Sequence, residues 1–208
     1  MGDELFLPQT VDIEVVIQSI VTVGAASVPL IDESFRSALL DEAERYPYRL
    51  EEEYVGSGEN QVRQQMGSCD DFPLNCQYRL LADAFQAWLD ARLDSLRDYP
   101  FSSRLRFDSL SLQRYEPGSI GITPHRDGWR YINLICIFAI AGRGRFFVCA
   151  DRAGNEAVEI AASPGNLILM RAPGFMRANL RPFHFVTDVT ERRYSFGLRQ
   201  IRNPEQER

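Results

Sequence analysis

The chain contains no lysine: all 23 basic residues among its 208 are arginine. That absence excludes a lysine Schiff base, a lysine general base and a Walker A phosphate loop. An anion bound here has to be held by arginine, backbone N–H groups, hydroxyls or a metal ion. Histidine is nearly absent too, with only His125 and His184. The four cysteines (Cys69, Cys76, Cys136 and Cys149) include no CxxC pair. Cys136 and Cys149 sit in apolar, strand-like runs and read as small core residues, so free thiols and a reducing compartment are expected. Long apolar runs are missing as well. The stretch from Val11 to Leu30 carries Asp12, Glu14 and Gln18 and makes a poor membrane span. The acidic start, Asp3 and Glu4, is unlike a signal peptide. A cytoplasmic protein without membrane contact is expected.

What is present is ordinary for a globule: 45% hydrophobic and 25% charged residues, with a net charge of −6. The acidic balance disfavours a large sequence-independent nucleic-acid surface, although a local basic patch is compatible with it. The length suits a single domain, 1–208, with residues 1–104 as N-terminal support and 105–202 as the core. The sequence carries no signal for oligomeric state.

Alternating residues from Val11 to Ile17 predict an early strand. A helix is expected from Asp32, its cap, to Tyr46, with Pro47 ending it. Residues 47–75 lack periodicity and read as a loop, with a lid and a plain surface connection both open. A second helix is expected from Tyr78 to Asp98, with Leu81, Phe85, Trp88, Leu89 and Leu96 forming an apolar stripe suited to core packing. Short strand-like runs then follow at 105–115, 131–141, 145–150, 157–162, 166–171, 183–189 and 193–201, separated by Gly and Pro turns. Many short strands behind two helices predict an α+β chain: an antiparallel jelly-roll barrel with N-terminal helices packed on one face.

His125 and Asp127 are two apart, so on a strand both face one way while Arg126 points elsewhere. One imidazole and one carboxylate make half a metal site. His184 is the one remaining residue able to complete a two-histidine, one-carboxylate face of the kind that suits Fe(II). Each histidine taken alone is weak, since a satisfied core or surface histidine explains it equally well. Arg193 and Arg199 share a strand face with Ser195 and Gly197, while Tyr194, Phe196 and Leu198 face the other way. Two inward arginines are costly without anions. A dicarboxylate would satisfy them; internal acids or a solvated face are the alternatives. Tyr115 closes a strand just before the Pro117-Gly118 turn and offers a hydroxyl to the same anion.

The order of these features is Arg114-Tyr115-Glu116-Pro117-Gly118, then His125-Arg126-Asp127, then Pro164-Gly165-Asn166-Leu167-Ile168-Leu169, His184, and finally Arg193-x-Ser195-x-Gly197-x-Arg199. It resembles the AlkB-like branch of the 2-oxoglutarate and Fe(II)-dependent oxygenases over about residues 105–202. The resemblance implies a double-stranded β-helix with iron on His125, Asp127 and His184. It implies 2-oxoglutarate held by Arg193, Tyr115 and Ser195, with Arg199 near the metal-side carboxylate or the substrate. O2 would be the oxidant. Ser195, Gly197 and Gln113 stand where the branch carries Asn, Thr and Asn. The implied activity is hydroxylation or oxidative demethylation. Acidity and the lack of lysine favour a small-molecule substrate over a methylated nucleobase. Trp129, Arg130 and Tyr131 are candidate substrate contacts, with plain packing as the alternative reading. A cupin-like barrel binding a metal or ligand without redox chemistry is the contrasting expectation, though such sites usually recruit more histidines.

Overall fold

The structure is a computed structural model that describes residues 5–7 and 11–202. The acidic start at Asp3 and Glu4 therefore lies outside the described residues.

The chain opens with a helix where alternation predicts a strand. α1 spans Ile13–Val23, and the Asp12 carboxylate accepts the N–H groups of Glu14 and Val15. The buried residues Ile13, Val16 and Ile20 fall at helical spacing. The period-2 reading fails because Asp12 caps two free amides, and the longer window has a period near 3.6. Gly24, at φ +99°, ends the helix, and the chain turns into a strand that the sequence reading did not foresee, β1 (Ala25–Pro29). α2 (Glu33–Ala43) is capped by Asp32 as expected, but it stops before Pro47. α3 covers Gln77–Leu93 and buries Leu81, Phe85 and Leu89.

Residues 47–75 are not a plain loop. They hold β2 (Arg49–Leu50), β3 (Tyr54–Val55), β4 (Val62–Arg63), β5 (Gly67–Cys69) and one turn of 3-10 helix. Strands of two or three residues are too short to show a period, which is why the sequence pattern misses them. The later strands are β6 (Ser109–Tyr115), β7 (Ile122–His125), β8 (Tyr131–Ala141), β9 (Arg145–Cys149), β10 (Val158–Ile160), β11 (Asn166–Arg171), β12 (Phe183–Thr187) and β13 (Arg193–Ile201). β7 has no counterpart in the sequence reading.

Two antiparallel sheets face each other. The larger has the order β1-β11-β8-β13-β6-β5-β2, and the smaller is β10-β9-β12-β7. This is the jelly-roll barrel expected from the strand spacing. One apolar cluster lies between the larger sheet and the helices, where Phe138, Phe196 and Leu198 meet Tyr78, Phe85 and Leu89. A second fills the space between the sheets, with Ile135, Ile137, Phe146, Val148, Ile168 and Val186. Alternation along β13 divides the two layers: Tyr194, Phe196 and Leu198 join the helix side, leaving Arg193, Ser195 and Arg199 for the barrel interior. All four cysteines are free and buried. Among the described residues, no helix is long and apolar enough to cross a membrane.

Candidate active site

β7 and β12 pair so that His125 and His184 stand directly opposite each other. Their ring centroids are 4.2 Å apart, and Phe146 backs the His184 ring at 5.8 Å. β7 ends at His125, so Asp127 reaches the cluster from the following loop rather than from the strand. One ligand atom from each of His125, Asp127 and His184 lies within 4.8 Å of the others. His125 Nδ1 lies 3.0 Å from the Thr123 carbonyl, and His184 Nδ1 lies 3.5 Å from the Pro182 carbonyl. A carbonyl only accepts, so each Nδ1 carries the proton and each Nε2 keeps a free lone pair, the state a metal ligand needs.

Burial sets the charge states. His184 is 4% exposed, and its pKa is pushed down to about 3, first by burial and then by the neighbouring His125. Burial also lowers His125. Burial opposes charge on Asp127, but the Arg199 cation and the two imidazoles outweigh it, so its carboxyl lies below its usual range. Two neutral imidazoles and a carboxylate are thus presented together at neutral pH. That donor set suits Fe(II).

The second half of the site lies on β13 and β6, where Arg193 is registered with Tyr115 and Ser195 with Gln113. Arg193 is 2% exposed. Its Nη1 donates to Ser195 Oγ at 3.0 Å, and its Nη2 is buried with no hydrogen-bond partner. Ser195 Oγ and the Tyr115 hydroxyl both reach Gln113 Oε1, at 3.4 and 3.5 Å. The guanidinium lies 5.5 Å from the Tyr115 ring centroid. Burial raises the Tyr115 hydroxyl to about 12, while Arg193 and Arg199 pull it down and Asp127 pushes it up. Tyr115 therefore lies within electrostatic reach of both halves of the site. Sequence reasoning named Gln113 only as a departure from the branch's Asn and did not place it in the site; its position two before Tyr115, on the same strand face, was the available signal.

The structure brings the other candidates to the end of the barrel that holds the histidines. Tyr131 lines a small cavity with Asp127, Ile135 and Met170. Its ring lies 5.3 Å from the Arg199 guanidinium, and its hydroxyl accepts from Arg130 Nη2 at 2.7 Å. Trp129 is 55% exposed, with the Arg181 guanidinium 3.5 Å above its ring. Arg181 also donates to the Asp127 carbonyl at 2.6 Å, which ties down the segment carrying the carboxylate. Nothing in the sequence distinguished Arg181, a lone arginine in an irregular loop.

Fold and cluster together define a jelly-roll protein with a two-histidine, one-carboxylate group inside the barrel. No family profile and no curated protein matches the chain. Solved structures do. A Trichoplax adhaerens prolyl hydroxylase, in complex with a hypoxia inducible factor oxygen degradation domain peptide fragment, superposes with a TM-score of 0.69 at 13% identity, covering 94% of this chain and 90% of that one. A Pseudomonas putida prolyl-4-hydroxylase gives 0.64 at 14% identity, with 91% and 98% covered. An oxidoreductase of the 2OG-Fe(II) oxygenase family from Burkholderia pseudomallei gives 0.63 at 15% identity, with 95% and 94% covered. The fold is the double-stranded β-helix that these proteins share.

Proposed function

We propose that the protein is a 2-oxoglutarate and Fe(II)-dependent dioxygenase that hydroxylates, or oxidatively demethylates, a small organic substrate. The observation that carries this reading is the fully buried Arg193 with an unpartnered Nη2, inside the same barrel as the histidine–carboxylate cluster. A buried cation without an anion is costly unless a ligand supplies one. The fold shared with 2OG-Fe(II) oxygenases supports the choice of that ligand.

In this reading His125, Asp127 and His184 would hold iron. Arg193, with Tyr115 and Ser195, would take the distal carboxylate of 2-oxoglutarate. Arg199 holds the charge on Asp127 and stands beside Tyr131 on the substrate side. Bound iron would couple the conversion of 2-oxoglutarate and O2 to succinate and CO2 with insertion of one oxygen atom into a substrate C–H bond. The protein's own work is to keep both imidazoles neutral, to keep the carboxylate charged and to exclude water with Ile135, Ile137 and Phe146.

Anaerobic addition of Fe(II) and 2-oxoglutarate tests the reading. A visible absorption band is expected, at higher 2-oxoglutarate concentrations in Arg193→Gln and not at all in His184→Ala. Native protein that binds iron yet shows no band would favour a non-redox, cupin-like barrel instead.

A methylated nucleobase, as in the AlkB-like branch, is the second reading. The exposed Trp129 beneath Arg181 supports it, because such a face can stack a planar ring. Succinate release stimulated by methylated oligonucleotides, and not by small molecules or prolyl peptides, would select it.

A further inference from the structure

The chain is acidic, and arginines on much of its surface are matched with acids. Arg145 pairs with Glu159 at 2.7 Å and with Asp188 at 3.4 Å, Arg63 with Glu53 at 2.8 Å, and Arg192 with Glu116 at 2.9 Å. Beside Asp127, at the end of the barrel, three arginines cluster together without such a match. Among the described residues, Arg126, Arg171 and Arg181 make no ion pair with a free carboxylate. Arg126 is exposed and lies 4.0 Å from the Phe183 ring centroid. Arg181 is stacked on Trp129 and gives its Nη1 to the Asp127 carbonyl at 2.6 Å, which leaves Nη2 for a ligand. Arg171 donates Nη1 to the Val21 carbonyl at 3.2 Å and keeps Nε buried without a partner.

These three arginines line one groove of about 390 Å³ together with Phe183, Leu180 and a single carboxylate, Glu156. Its size is that of a small-ligand site. The groove adjoins the small cavity containing Asp127 and Tyr131, and Arg171, Arg181 and Pro182 line both. Stacking on an aromatic ring occupies the flat face of a guanidinium and leaves its N–H edge open to grip a carboxylate or phosphate bidentately.

We propose that this groove binds the carboxylate or phosphate group of a small organic substrate, whose body passes over the Arg171–Arg181 wall to the Asp127–Tyr131 cavity. This inference rests on the oxygenase reading and adds the substrate's chemical class. Three cations against one carboxylate leave the groove positive in a protein that is negative overall. A neutral isostere would leave the arginines unpaired, so the site discriminates by charge.

Titration calorimetry on the full chain tests it, with phenylphosphonate and phenylacetate as probes, phenylacetamide as the neutral control and 2-oxoglutarate measured in parallel. Both anions are expected to bind, and the amide at least tenfold more weakly. The tighter of the two anions identifies phosphate or carboxylate as the natural group. Arg126→Gln, an exposed change that leaves the core untouched, and Arg171→Gln each weaken the anions about tenfold without moving 2-oxoglutarate affinity. Arg193→Gln does the reverse. Equal binding of amide and anions, or anion binding indifferent to Arg126 and Arg171, overturns the proposal. So does a single-stranded oligonucleotide that displaces phenylphosphonate and binds more than tenfold tighter. Loss of 2-oxoglutarate binding with the groove's behaviour as expected would sink the oxygenase reading alone, leaving an anion site on a barrel of another activity.

Discussion

Arg199 Nε stands 3.7 Å from Asp127 Oδ2, and neither atom has a hydrogen-bond partner. The contact is one of charge with charge inside the barrel. It is the largest influence holding the carboxyl down against burial. Arg199→Gln removes it and leaves desolvation less opposed, so the Asp127 pKa rises. A protonated carboxyl does not ligate, so the acid limb of Co(II) binding should move to higher pH. Affinity at pH 8 should change little. An acid limb that stays in place would mean that another group governs the carboxylate.

Arg193 makes the converse prediction. Its unpartnered buried charge destabilises the ligand-free protein, and an apolar residue of similar length avoids that cost. Arg193→Met is expected to stabilise the ligand-free chain by about 1–4 kcal/mol and to weaken 2-oxoglutarate binding more than tenfold. Thermal unfolding with and without 2-oxoglutarate reads both effects. The wild type should be stabilised by the ligand and the variant should not. A destabilised variant would argue that Ser195 and Tyr115 already satisfy the guanidinium.

The histidines predict a pH dependence. His184 has a folded pKa of about 3 against an ordinary 6.5, and His125 is lowered as well. The unfolded chain therefore binds more protons than the folded one between those values. Stability is full above about pH 6.5 and falls progressively as the pH drops toward 3. His184→Gln should flatten this acid loss in the metal-free protein while abolishing metal-dependent turnover. Denaturant unfolding at several pH values measures the slope. An unchanged slope would place the acid sensitivity elsewhere.

Gly121 links the fold to the site. It has φ +75°, and a Cβ there would sit 2.0 Å from the Val186 carbonyl oxygen on β12. That close approach lies at the start of the β7–β12 pairing that sets His125 against His184. Gly121→Ala combines left-handed backbone strain of about 1–2 kcal/mol with a backbone clash. A lower Tm together with metal affinity reduced tenfold or more is expected. Retained affinity at a reduced Tm would show that the histidine register does not depend on this turn.

Much of this protein was legible from local pattern. The runs at 131–141, 166–171 and 193–201 coincide with β8, β11 and β13, because long apolar or alternating stretches bounded by Gly and Pro leave a chain few other options. Asp32 announced α2 through its side chain alone. The absence of lysine and the scarcity of histidine determined which residues could bind an anion or a metal. Other features had no local signature. α1 reads as a strand over seven residues and as a helix over eleven. β5 is a strand only because β6 offers it an edge, and β2 only because β5 does. Gln113 becomes a shared acceptor only once β6 and β13 are in register, and Arg126, Arg171 and Arg181 line one groove only after the barrel closes. Residue type and short-range period are written along the chain. Which distant residues meet is decided by strand pairing and burial, and those exist only in the folded state.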